Sequence, residues 1–457
     1  MKKRISSLLL AALTLIMPSF AQAQKVTNPN TKATYYVSKE TGNNKNDGSK
    51  AAPFKNIQKA INVAESGSTI IVAEGNYFGL STSPGQIVIE KKTLTIEGGW
   101  NTSFTERDVL KYKTMVQPGP ETNGSHKGGG TIQIISVNEP SGYVIIDGLI
   151  IDRGNTISYN MRGEGKPEGV ASPMMNPIGT KGIGGENLDV NPVLTQETNM
   201  IKLIGNYGIV NNVNIIVRNC AFLNCPAHGI QGNLKGGSLT VENCVFCNVR
   251  NTTLDVQGAD PNTMTQINFR NNTVMFVWSH TRALDTWGHG YRMRPGTCNT
   301  VENNIFGCCC FSAIDKTFVD GNKAREAKRK DVVKNNVIFL SRGGDLCIPG
   351  GGMLTRVAVE DWDDVENIDC SGNISPKDPS IFKGKVNEAY LNGFTNLKGT
   401  QEWGAQYSSA ANQWRSAMGM NIVGEGKITA SMYANRYPWT EALNLFGVMS
   451  GKGAQKP

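Results

Sequence analysis

Beyond its opening segment the chain has no apolar run long enough to span a bilayer, so no helical membrane anchor is expected in the rest of its 457 residues. No cysteine directly follows the apolar run of that opening segment, so a lipid anchor is not indicated either. Dense basic clusters interleaved with aromatics are also missing, and nucleic acid is not an expected partner; the basic run from Lys323 to Lys330 reads as a solvated loop. C-x-x-C pairs do not recur at metal spacing, and the lone Cys244 to Cys247 pair is a weak zinc signal. Charge of one sign is in modest excess: the formal +8 falls to +5 without Lys2, Lys3 and Arg4. Spread over this length, such an excess suits an anionic partner without specifying one.

What is present begins with M-K-K-R, an apolar run from Leu8 to Met17, and Ala21-Gln22-Ala23. This order reads as a secretory signal peptide over residues 1–23, giving an exported, soluble, secreted or periplasmic chain, expected to be a monomer. Ten cysteines in an oxidising compartment ordinarily mean bridges. Here Cys220 and Cys244 hold equivalent places in neighbouring repeats, and Cys308, Cys309 and Cys310 are consecutive. Free cysteines packed as small hydrophobes are therefore expected.

Between Arg218 and Ile338 one phrase recurs: V-R-N-C-A-F, V-E-N-C-V-F, F-R-N-N-T-V, V-E-N-N-I-F and V-K-N-N-V-I. Its asparagines, Asn219, Asn243, Asn271, Asn303 and Asn335, are 24, 28, 32 and 32 residues apart. Periods of this size with one short alternating phrase per copy predict a solenoid of stacked strands. A second register runs alongside: Gln231, Asp255, Asp285 and Asp315 each follow a branched apolar residue, 12, 12, 14 and 12 residues after the matching Asn. Asp345 follows a weaker version of the pattern. In a parallel stack Ile230, Leu254, Leu284 and Ile314 would point inward and the next residue outward. Rungs about 4.8 Å apart would then make Asp255, Asp285 and Asp315 a column of repelling carboxylates, which a cation, a basic neighbour or a shared proton must offset. The asparagine ladder itself is structural, its stacked amides bonding rung to rung inside a turn.

Ahead of the repeats, Y-Y-V-S-K-E-T-G-N-N-K-N-D-G-S-K-A-A-P-F-K-N-I-Q-K-A-I-N-V-A leads into G-S-T-I-I-V-A-E-G-N-Y. Its periods predict a strand, a loop, an amphipathic helix near Phe54 to Ala64 and a second strand. This block resembles the N-terminal cap of exported right-handed parallel β-helix proteins of the pectate-lyase-like superfamily, in which that helix plugs the open end of the solenoid. The resemblance spans about the first hundred residues and, with the asparagine repeats, extends to about Asp369. It implies an all-β fold, a right-handed parallel β-helix over residues 24–370. The superfamily holds lyases, hydrolases, epimerases and non-enzymes, so activity must be argued from the site. Residues 153–199 lack strand period and read as a long insertion, either walling a cleft or lying disordered. Residues 371–457 read as a partly helical cap or strap, with Trp403, Trp414, Tyr433, Trp439, Leu443 and Phe446 as packing residues.

The densest reactive stretch is S-H-T-R-A-L-D-T-W-G-H-G-Y-R-M-R-P, from Ser279 to Pro295. Elimination on an acidic polysaccharide needs a cation to neutralise the uronate carboxylate, a base for the C5 proton and an acid for the leaving oxygen. Asp255, Asp285 and Asp315 are the expected ligands for Ca²⁺, which takes several oxygens at about 2.3 to 2.6 Å. Arg282, Arg292 or Lys316 is the expected base, Tyr291 or His289 the proton donor, and Trp287, Arg294 and Arg342 the substrate contacts. The resemblance supports the assignment, because superfamily lyases place calcium carboxylates and a Lys or Arg base on the outer face of this strand register. There are departures: the tight Asp clusters and the Arg-x-x-Pro-x-x-Arg motif of calcium pectate lyases are absent. Gly288-His289-Gly290 resembles one element of polygalacturonase-type hydrolases, whose paired Asp motif and Arg-x-Lys are also absent. An inverting hydrolase with two stacked Asp residues remains an alternative. So does a non-catalytic glycan-binding or structural module using Trp278, Trp287 or Tyr291 as stacking surfaces. His228 and His126 are expected to be structural.

Overall fold

Short runs rich in Val, Ile and Thr cannot bury an apolar face alone, and this chain buries them by winding each run onto the one before. The computed structural model describes residues 32–78, 87–117, 131–152, 199–205, 208–225, 227–278, 288–309, 311–341, 344–350, 353–376, 380–388, 391 and 437–457. Over these residues the protein is a right-handed parallel β-helix. Residues 1–23, all of the insertion but Asn199, and the segments holding Trp403, Trp414 and Tyr433 lie outside them.

Each coil contributes strands to three columns. Thr252–Gly258, Tyr291–Met293 and Ile314–Asp315 stack in parallel in the first. Asn211–Arg218, Thr265–Arg270 and Thr297–Glu302 belong to the second, the first two joined through Ser238–Glu242. Ala221–Cys225, Val245–Arg250, Thr273–Trp278 and Ile305–Cys309 form the third. Inside run stacked side chains, including Phe222 on Phe246 with ring centroids 4.6 Å apart, and Phe269 against Phe306 and Tyr291 at 6.0 and 5.1 Å.

The corner between the second and third columns explains the repeat. Asn219, Asn243, Asn271, Asn303 and Asn335 have φ between 53° and 57°, the left-handed region that asparagine tolerates better than most residues. Asn219 and Asn243 also join rung to rung, through a 2.8 Å bond. The longer amide ladder runs one residue on. Asn272, Asn304 and Asn336 each donate through Nδ2 to the next amide oxygen, the last to Asn373, at 3.2, 3.0 and 2.8 Å. Oxygens of this ladder also accept the backbone N–H groups of Cys244, Asn272 and Asn304. The described cysteines form no disulfide with one another.

Both ends of the first column are covered, which removes open strand edges. At the start, helix Ile57–Val63 buries Ile57, Ala60 and Ile61, and the Gln58 amide both donates to Val88 O and accepts from Val88 N. At the far end, strand Met353–Val357 folds back antiparallel on Leu346–Gly350. The C-terminal segment 437–457 crosses the outside of the third column. Tyr437 N donates to Asn224 Oδ1 at 2.7 Å, Ala454 N to Thr273 Oγ1 at 2.9 Å, and Gln455 N to Asn243 Oδ1 at 2.6 Å. Leu443 and Phe446 are buried there and Trp439 is partly buried. Residues Phe276, Trp278 and Phe339 are thereby covered on a face that would otherwise meet water.

Candidate functional site

Where the chain re-enters the first column decides which side chains form its outer face. Lys202 pairs with Gln231, Gln231 with Asp255, Asp255 with Arg292, Arg292 with Asp315, and Asp315 with Cys347. The rung between Asp255 and Asp315 thus belongs to Arg292, and the inward place expected for Leu284 to Tyr291. Asp285, Arg282 and Trp287 lie outside the described residues, as do Arg342, His280 and His126. The 14-residue spacing of Asp285, against 12 for its counterparts, was the sign that this coil carries extra chain before its strand begins.

The carboxylates are consequently neutralised by the protein itself. Arg292 Nε donates to Asp315 Oδ2 at 2.7 Å, and His289 Nε2 lies 3.7 Å from the same oxygen. Burial pushes the Asp315 carboxyl upward, but the charges of His289 and Arg292 and hydrogen bonds from Thr317 outweigh it and hold the group below its ordinary value. Arg294 Nε lies 3.0 Å from Asp255 Oδ1, near enough for an ion pair, without making a hydrogen bond. Asp255 and Asp315 are two rungs apart, about 9.6 Å, with a guanidinium between them. This does not fit a shared Ca²⁺, whose ligand oxygens must all lie about 2.3 to 2.6 Å from it. Among the described residues no group of three or more His, Cys, Asp or Glu is placed to hold a metal ion.

Tyr291 is corrected as a proton donor. It points into the core, its hydroxyl donates to Asn299 Oδ1 at 2.8 Å, and burial drives its pKa well above the ordinary value. Tyrosine on an inward rung cannot meet substrate. Trp278 is likewise unavailable as a sugar platform, being buried with Nε1 donating to Asn248 Oδ1 at 2.9 Å. His289 is buried, Nδ1 2.7 Å from Ser312 Oγ. His228 is also buried. Lys316 Nζ reaches Asp331 Oδ2 at 2.9 Å and donates to Asn367 O at 2.8 Å. The ammonium is thus held by acceptors of its own chain.

Two features carried no local signal in the sequence. Phe318, 37% exposed, lies under both guanidiniums, with Arg292 Cζ 5.1 Å and Arg294 Cζ 4.2 Å from its ring centre. Beyond it the turns joining the first and second columns part around a cleft of about 970 Å³, lined by Lys316, Phe318, Arg329, Ile348, Asp361 and Glu366 among others. Nearby, Asp345 accepts from Val359 N at 3.2 Å; burial raises its carboxyl to about 6.

These features define the class: a three-column right-handed parallel β-helix with a charge-paired outer strip beside a cleft. A family model described as "Protein of unknown function (DUF1565)" matches residues 40–108, the cap and first coils. No curated protein matches the chain. Similar solved structures include pectate lyase Pel9A, at 12% identity over 76% of this chain and 82% of that one, TM-score 0.41. The complex of XylC with xylose is similar at 11% identity over 82% and 81%, TM-score 0.33. A rhamnogalacturonan lyase is similar at 12% identity over 92% and 99%, TM-score 0.30. These are likenesses of fold. No helix among the described residues is long and apolar enough to cross a membrane.

Proposed function

We propose that this chain is an exported protein that engages an acidic, uronate-containing polysaccharide on the outer face of its first column and cleaves it by β-elimination. The observation that supports this reading is the cluster of Arg292, Arg294 and Phe318, which offers a uronate both a cation for its carboxylate and an apolar face for its ring. Arg294 takes the neutralising role, since it is the less buried of the two guanidiniums and is not hydrogen-bonded to its carboxylate. Neutralisation acidifies the C5 proton. The base must be uncharged when it acts. Arg292 and Lys316 are tied to carboxylates, so that role falls to Arg282 in the segment 279–287. The base takes the C5 proton, the C5–H electron pair becomes the C4–C5 double bond, and the glycosidic oxygen leaves C4 with the electron pair of the broken bond and takes a proton from water.

The same pairing of Arg292, Arg294 and Lys316 with carboxylates favours a second reading, retention of the polymer without cleavage. One assay separates them: incubation with a panel of uronate polysaccharides, following absorbance of the unsaturated product with and without chelator. The expected result is an absorbance rise that chelator leaves unchanged. Reducing ends without absorbance would mean hydrolysis. No absorbance with retention on immobilised polygalacturonate would establish binding alone, and neither signal would overturn both readings.

A further inference from the structure

We infer that the cleft between residues 316–329 on one side and 348–349 and 357–368 on the other holds the end of a short acidic oligosaccharide, one carboxylate oxygen accepting a hydrogen bond from Arg329 Nη2. The side chain of Arg329 is 2% exposed. Its Nε donates to Asp331 Oδ2 at 2.8 Å and its Nη1 to Phe318 O at 3.0 Å and Glu326 Oε1 at 3.3 Å. Nη2 is buried with no protein acceptor. Leaving such a donor unpaired forfeits the hydrogen bond it made to water in the unfolded chain, a heavier loss where charge is involved, and native structures rarely do so without a reason. A ligand oxygen supplies the missing acceptor.

The remainder of the cleft suits a sugar chain. Its volume, about 970 Å³, is at the large end of the range for small-molecule pockets and exceeds the needs of a single ring. Phe318 and Val319, 37% and 58% exposed, offer apolar surface at the mouth, and Ile348 lies within. The exposed carboxylates of Asp361 and Glu366 can accept from hydroxyls. An entirely apolar ligand would leave these groups unmatched. Phe318 also joins the cleft to the strip bearing Arg292 and Arg294. The choice of a uronate rests on the proposed function; the existence of the site does not.

Calorimetric titration of the full chain with trigalacturonate, and with maltotriose as the uncharged control, tests the inference. Trigalacturonate is expected to bind at least tenfold more tightly than maltotriose. Arg329→Lys keeps a cation beside Asp331 but removes the fork, and should weaken trigalacturonate at least tenfold. Phe318→Ala and Glu366→Gln, which leave the Asp331 pairs intact, should each weaken it several-fold, so the test survives if Arg329→Lys folds poorly. Equal affinity in wild type and all three cleft variants, or no heat with either sugar, would overturn the cleft assignment. Trimer binding that depends on Arg329 while the polymer assay stays silent would sink the proposed function and leave the cleft standing; the reverse pattern would sink the cleft alone.

Discussion

A guanidinium that lies 3.0 Å from a carboxylate without hydrogen-bonding it, as Arg294 does with Asp255, has donors to offer a better-placed acceptor. Arg292, hydrogen-bonded at 2.7 Å and almost fully buried, does not. Arg294→Ala is therefore expected to weaken retention on immobilised polygalacturonate about tenfold, the scale of one charge-assisted contact, with little change in melting temperature. Unchanged retention would remove Arg294 from the site. Asp345 makes a prediction about pH. Its folded pKa, about 6, lies above the ordinary 3.8, so between those values the folded state binds more protons than the unfolded one and stability falls as pH rises. The whole shift corresponds to about 3 kcal/mol as an upper bound. Asp345→Asn should abolish that fall, leaving the variant more stable than wild type above pH 6 and nearly equal to it below pH 4, as denaturant titrations at the two extremes would show.

At the scale of the element, charge alternates up the second column. Asp147, Arg218, Glu242, Arg270, Glu302 and Lys334 pair in succession. Arg218 reaches Asp147 at 2.7 Å and Arg270 reaches Glu242 at 2.8 Å. One residue before each left-handed asparagine, the sign flips, so a slip of one coil would bring like charges together. Reversing one member, Arg270→Glu, places three acids in a row and should cost about 1 kcal/mol, less at high salt. The double variant Glu242→Arg with Arg270→Glu should recover little of it, because the arginine introduced at position 242 would then face Arg218. Full recovery, measured by urea unfolding, would show that only the local pair matters. This ladder was legible in V-R-N, V-E-N, F-R-N, V-E-N and V-K-N, since one residue per coil repeats the same position. Its counterpart in the first column was not legible, because extra chain before Tyr291 shifts Arg292 into the rung that the A-L-D phrase suggests for Asp285.

The whole molecule depends on the C-terminal segment, because the third column is apolar outside as well as inside. The Tyr437 ring packs 5.5 Å from that of Phe276, and its hydroxyl accepts from Asn387 N at 2.9 Å. Tyr437→Ala should cost about 3 kcal/mol and free the segment, seen as a lower melting temperature and faster proteolysis near residue 437. A variant as resistant as wild type would show that the Asn224, Thr273 and Asn243 contacts suffice without the ring. Repeat period, strand alternation and the asparagine corner were determined by the sequence alone, because each depends on residues a few positions apart whose backbone preferences are local. The partner of each carboxylate, the inward turn of Tyr291 and the meeting of Phe318 with Arg292 and Arg294 were decided only by the tertiary structure. Those depend on how many residues each coil spends at its corners, and one extra residue in an alternating strand exchanges the face that meets solvent for the face that meets the core.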